Sequence, residues 1–174
     1  MNTFNPSLYW HSLFIRRLIY INTVMQAYSK TYEVIWADMD PNHHMRHSVY
    51  NDYAAQTRVG MFSDFDLSIT EIGRLGFGPI LFREETKFLR EINLLEIIRV
   101  TCVLTTMRRD GSRWSFLHEI FKEGEDGIKA AQIAVEGAWL NLDSRKLGTP
   151  TPKLREVMDR FPKAENFEWM PDKK

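Results

Sequence analysis

Cysteine is almost missing from this chain: Cys102 is the only one in 174 residues. No intramolecular disulfide can form, and no cysteine cluster can hold zinc. Cys102 lies in the apolar run Ile97-Ile98-Arg99-Val100-Thr101-Cys102-Val103-Leu104. It is expected there as a small buried hydrophobe rather than a nucleophile. Net charge is missing too. Lys+Arg and Asp+Glu both number 23, so nothing global attracts nucleic acid or an anionic membrane, and any basic site must be local. A long hydrophobic run is also absent. The stretch Leu13 to Ile21 is apolar but broken by Arg16 and Arg17. It is too short and too charged to span a bilayer, and it lacks the small-residue end of a signal peptide. These absences fit a reducing, cytoplasmic setting.

What remains is the composition of a globular domain, with 44% hydrophobic and 26% charged residues. The length suits one domain with a sizeable core. Aromatic residues make up 13%, enough to line an apolar pocket or a subunit contact. Met25 is the expected start, with residues 1–27 as a loosely attached N-terminal extension. The domain is expected over 28–145, and 146–174 is a tail with a short helix. No internal repeat or low-complexity segment is found.

Along the chain, Tyr32 to Trp36 reads as a short strand and Asp38-Met39-Asp40-Pro41-Asn42 as a turn. Ser48 is the expected N-cap of a helix running to about Phe62, with Val49, Tyr53, Gln56 and Gly60 on one side. A short helix follows over Ser68 to Arg74. Four strands come next: Ile80 to Leu89, Leu95 to Met107, Arg113 to Phe121 and Ile128 to Leu142. Arg109-Asp110-Gly111-Ser112 and Gly124-Glu125-Asp126-Gly127 are strong hairpin signals. In the third of these strands Trp114, Phe116, His118 and Ile120 share a face, and Leu117 and Phe121 lie on the other. Lys153 to Arg160 is a helix candidate stopped by Pro162. The order predicts an α+β fold, one antiparallel sheet wrapped around a central helix.

Chemistry concentrates in Asp38-Met39-Asp40-Pro41-Asn42-His43-His44-Met45-Arg46-His47, which holds three of the five histidines and two carboxylates. This cluster lies between a strand and a helix start, where function tends to collect. Free N–H groups and the dipole at a helix amino terminus can stabilise an oxyanion without a metal.

The pattern Asp38-x-Asp40-x-Asn42-x-His44-x-x-x-x-x-Tyr50 resembles the strand-to-helix segment of the hotdog-fold thioesterases. It is similar both to plant acyl-ACP thioesterases and to the 4-hydroxybenzoyl-CoA thioesterase family. His47 matches a histidine at the helix start of the acyl-CoA thioesterases associated with the Tol-Pal system. Tyr53 through Arg58 and Arg83 through Leu95 resemble later parts of the same fold, so the likeness covers roughly residues 30–145. The sequence also departs from these families. His43 stands where many coenzyme A thioesterases have Gly, Val49 replaces the usual Asn before the Tyr, and Arg46 and His47 replace a paired Asn. Gln56 stands where related chains often carry a catalytic Glu.

The resemblance implies hydrolysis of an acyl thioester of coenzyme A or of acyl carrier protein. Asp40 would be general base or nucleophile, and the backbone near His47 and Ser48 the oxyanion site. Asn42, His44 and His47 complete the expected catalytic set. Tyr50, Arg83, Lys87, Arg108 and Arg109 are the substrate-binding candidates, the cations for the phosphates of coenzyme A. No cofactor and no metal is implied, and hotdog proteins assemble as homodimers or homotetramers. The residues taken alone leave other roles open. Asp38 reads as a solvated turn acid, His43 as a surface residue, and His44 and His47 equally as chemistry or as local hydrogen bonding. The alternative at the level of the protein is a non-catalytic hotdog that binds acyl-CoA or serves as a structural partner.

Overall fold

The computed structural model describes residues 27–123 and 127–171. Residues 1–26 of the expected extension, with the boundary at Met25, lie outside the described residues, as does most of the second hairpin turn. Among the described residues six strands form one sheet. They are β1 (Tyr28–Glu33), β2 (Phe77–Phe88), β3 (Ile97–Arg108), β4 (Arg113–Lys122), β5 (Ile128–Asn141) and β6 (Lys163–Met170). The helices are α1 (His47–Asp64), α2 (Ile69–Arg74) and α3 (Pro152–Asp159). The sheet order is β1-β3-β4-β5-β2, antiparallel along that path, and β6 joins β3 in parallel.

Alternation explains the sheet. In β4, Trp114, Phe116, His118 and Ile120 are all at most 1% exposed and face α1, whereas Leu117 and Phe121 on the other face are half-buried. The link between β3 and β4 turns at Gly111, whose φ of +73° favours a residue without Cβ. A second glycine, Gly137 in β5, is required by contact. A Cβ there would come within 2.3 Å of the Trp114 ring and 2.5 Å of the Ile80 carbonyl. The missing Cβ makes room for the Trp114 ring against β5.

Helix α1 crosses the concave face. Its buried residues are Val49, Tyr50, Ala54, Thr57, Met61 and Phe62. The packing stripe is thus turned from the expected Val49–Tyr53–Gln56–Gly60 side, and Gln56 is exposed. The aromatic content supplies the reason. Phe62 makes edge contacts with Phe116, Trp139 and Phe161, at centroid distances of 6.4, 5.9 and 4.8 Å, and these bulky partners fix the helix roll.

Two elements differ from the sequence reading. The first strand runs over Tyr28–Glu33, not Tyr32 to Trp36, because Ile35 and Trp36 lead into a 3-10 turn (Trp36–Asp38). Tyr28, Lys30 and Tyr32 alternate instead toward α1, where the Tyr32 and Thr57 hydroxyls meet at 3.0 Å. In the tail, helix α3 forms as expected, with Leu154, Val157 and Met158 buried. A strand the sequence reading lacks then follows. β6 lies beside the end of β3, and Phe161 between the two elements is fully buried in the core.

Candidate active site

The segment Met39 to Met45 is a tight loop closed on itself. A bridge joins Met39 to Met45, Asp40 N–H donates to the His44 carbonyl at 3.0 Å, and His43 N–H donates to the Asp40 carbonyl at 3.1 Å. His43 sits at φ +68°. That left-handed backbone favours glycine, and the His43 side chain is exposed.

These bonds aim Asp40. One carboxylate oxygen accepts from the Asn42 backbone N–H at 2.8 Å, and the other lies 3.5 Å from His44 Nδ1. The Asp40 side chain is 20% exposed and that of His44 31%, so both remain reachable by solvent and ligand. Asn42 contributes its backbone to this arrangement, and its side chain is exposed. A cleft of about 450 Å³ opens beside the loop. The loop supplies Asp40, His44 and Met45 to its wall, α1 supplies His47 and Tyr50, and the end of β2 supplies Phe88 through Glu91.

Helix α1 begins at His47, one residue before the expected N-cap Ser48, and its N-cap is Arg46, which makes no side-chain capping bond. Arg46 N–H is taken by the Asp38 carbonyl at 2.9 Å. No side-chain oxygen caps this helix start, which leaves the His47 and Ser48 N–H groups available to an oxyanion. Tyr50 is 4% exposed and packs edge-on against Phe88 at 5.0 Å. Burial and the nearby carboxylates of Glu91, Glu96 and Asp40 raise its pKa above the ordinary tyrosine value, so it stays a protonated donor.

The other binding candidates fall elsewhere. Arg83 and Lys87 stand on the exposed face of β2, where Arg83 pairs with Glu85 and Glu136 and Lys87 lies 3.8 Å from Glu85. Arg108 and Arg109 are at the opposite end of the sheet. Strands rise about 3.3 Å per residue, so the run from Ile98 to Arg108 separates them from the Asp40 end by roughly 33 Å within one chain. The cation beside the cleft is Arg90, which the sequence reading did not single out, and Phe88, Leu89 and Glu91 were missed with it. Their only signal was the ending of a strand, and antiparallel return is what brings that ending to the helix start. Among the described residues no three His, Cys, Asp or Glu side chains converge to hold a metal.

A buried histidine lies outside the cleft lining. His118 is fully buried; its Nδ1 lies 3.0 Å from the Thr101 carbonyl and its Nε2 2.8 Å from Arg58 Nη1. A guanidinium can only donate, so Nε2 accepts and Nδ1–H donates to Thr101. Burial, then the Arg58 charge, lower the His118 pKa to about 3, and the ring is neutral.

With this geometry in view, the comparisons with known proteins define the class. The sequence profile of the thioesterase-like superfamily matches residues 34–162. No curated protein matches the chain by sequence. Among solved structures, a 1,4-dihydroxy-2-naphthoyl-CoA thioesterase from Synechocystis superposes with a TM-score of 0.68 at 18% identity, covering 78% of this chain and 97% of its own. A hypothetical protein from Staphylococcus aureus, solved in complex with CoA, gives 0.68 at 22% identity, covering 80% and 88%. A probable thioesterase from Escherichia coli gives 0.64 at 15%, covering 78% and 98%. The fold is the hotdog fold expected from the sequence. The chain belongs to the thioesterase-like superfamily.

Proposed function

We propose that the protein hydrolyses an acyl thioester, of coenzyme A or of acyl carrier protein, to a carboxylic acid and a free thiol. The observation that carries this reading is Asp40. Its carboxylate is held by the Asn42 N–H, stays partly open to solvent, and lies in the same cleft wall as the uncapped start of α1. Asp40 removes a proton from water as the water attacks the thioester carbonyl, or attacks that carbonyl itself to form an anhydride that water then opens. The developing oxyanion is met by the His47 and Ser48 N–H groups. The thiolate leaves readily without a strong acid. His44 orients Asp40 or the water, Tyr50 and Phe88 form the apolar wall, and Arg90 supplies positive charge at the rim where His47 also stands. Asn42 acts through its backbone. Arg83, Lys87, Arg108 and Arg109 remain binding candidates only where a second subunit carries them toward the cleft.

A second copy has an evident docking edge. Among the described residues β2 pairs only with β5, and it carries Leu81, Phe82 and Phe88 at 40%, 50% and 53% exposure. An open apolar strand edge invites pairing, and a homodimer or homotetramer joined there would place both clefts near the contact. The superfamily also admits the alternative, a hotdog that binds acyl-CoA without turning it over. Release of free thiol from short, long and aromatic acyl-CoA thioesters separates the two. Turnover of at least one supports the enzyme, and saturable binding with no thiol released supports the silent binder. Among the described residues no helix is long and apolar enough to cross a membrane.

A further inference from the structure

Asp38 was read from the sequence as a solvated turn acid. In the structure its carboxylate is occupied. One oxygen, Oδ2, accepts both the Tyr53 hydroxyl at 2.6 Å and the Ile35 N–H at 3.0 Å. Its carbonyl accepts the Arg46 N–H at 2.9 Å. Three pieces of the molecule therefore meet at one residue: the 3-10 turn that enters the site loop, the second turn of α1, and Arg46, the N-cap of α1. Tyr53 is also packed on Tyr32 of β1 at 4.9 Å, and its hydroxyl lies 3.3 Å from the Glu33 carbonyl. Tyr53 is thus fixed by the strand before it fixes Asp38.

We infer that Asp38, clamped by Tyr53, is a positioning residue for hydrolysis: it sets the site loop carrying Asp40 against the first N–H groups of α1. This rests on the reading of Asp40 as base or nucleophile. The geometry supplies the reason. Asp40 is two residues after Asp38, and the oxyanion donors His47 and Ser48 directly follow Arg46. The Asp38 side chain holds the entry to the loop, and its carbonyl holds the exit. Arg46 has no side-chain cap to hold the exit otherwise. Releasing the clamp lets carboxylate and donors shift relative to each other, while the cleft wall formed by Tyr50 and Phe88 stays. The clamp therefore acts on the rate of the chemical step more than on binding. It requires an acceptor oxygen at position 38, not a negative charge.

Four single variants test this by thiol release from the best acyl-CoA substrate, together with backbone hydrogen exchange. Asp38→Ala is expected to lower kcat at least about tenfold with KM little changed, within the hundredfold that a 1 Å misplacement can cost. Exchange at the Asp40 and Arg46 amides should quicken. Asp38→Asn, whose amide oxygen accepts from both Tyr53 and Ile35, should restore most of kcat. Tyr53→Phe, the milder change should Asp38→Ala fail to fold, should lower kcat in the same direction and by less. A parental kcat in both Asp38→Ala and Tyr53→Phe overturns the inference. An Asp38→Asn as slow as Asp38→Ala overturns it too, since charge would then be what matters. Asp40→Asn separates this from the parent reading. If Asp40→Asn keeps full turnover, Asp40 is not the catalytic group and the positioning role falls with it. If Asp40→Asn is inactive but the Asp38 and Tyr53 variants are not impaired, only the clamp is wrong.

Discussion

The two ends of α1 meet opposite surroundings. At its carboxyl end Phe62 lies among Phe116, Trp139 and Phe161, all at most 3% exposed, with Trp114 tilted against Phe116 and Trp139. At its amino end the helix opens on a cleft of about 450 Å³, beside an aspartate with 20% of its side chain exposed. One end buries aromatic area. The other forgoes a capping side chain and seats His43 in a left-handed conformation. The contrast separates what holds the fold from what the site does. The histidines repeat it: His118 is buried and held neutral between Arg58 and Thr101, whereas His44 and His47 stand at the cleft.

The largest expected effect falls at the closed end. Phe161→Ala removes a fully buried ring and should cost about 3–5 kcal/mol of unfolding free energy in urea titrations. The folded fraction should hydrolyse thioester at close to the parental rate. If kcat collapses in that folded fraction, the two ends are not separable.

Next comes pH. The depressed His118 pKa makes the neutral ring part of the folded state. The unfolded ring titrates near 6.5. His118 thus contributes stability that is complete above that value and is lost as pH falls from about 6.5 toward 3. The slope from this one group is at most about 1.4 kcal/mol per pH unit. Unfolding free energies between pH 7 and pH 4 should show the decline, and His118→Gln, which keeps an acceptor for Arg58, should flatten it.

Smaller effects belong to the open end. His43→Gly should raise stability by about 1 kcal/mol, because the left-handed backbone no longer carries a Cβ. A lowered melting temperature would show that the His43 side chain holds the loop. Asn42→Ala should change kcat/KM by no more than about threefold, since the backbone N–H, not the amide, meets Asp40.

Much of this was legible in the sequence, and the limits have physical causes. Alternation in β4 and the Arg109-Asp110-Gly111-Ser112 turn are local, so strands and hairpin could be read directly. Asp40, His44, His47 and Tyr50 were legible as one group because a turn and the helix start place them together within eleven residues. Arg90 and Glu91 were not, because their approach depends on where β2 ends in space. Asp38 lies in a turn and stays partly exposed, but its engagement was not legible because its partner Tyr53 is fifteen residues on and held by β1. The roll of α1 is set by Phe116, Trp139 and Phe161, all more than fifty residues beyond Phe62 in the chain. β6 escaped notice because Glu165 and Glu168 interrupt its apolar pattern. Arg108 and Arg109 were chosen for charge, and charge does not tell which end of a strand a residue occupies.

The most direct test of the account is the saturating rate of thiol release by folded Asp40→Asn beside the parent. The substitution keeps the side-chain shape and an acceptor for the Asn42 N–H while removing the charge that takes the proton. We predict a fall in kcat of roughly 100-fold or more with KM little changed, as loss of general-base action requires. A folded Asp40→Asn that releases thiol at the parental rate would contradict the account and move the chemistry away from this loop.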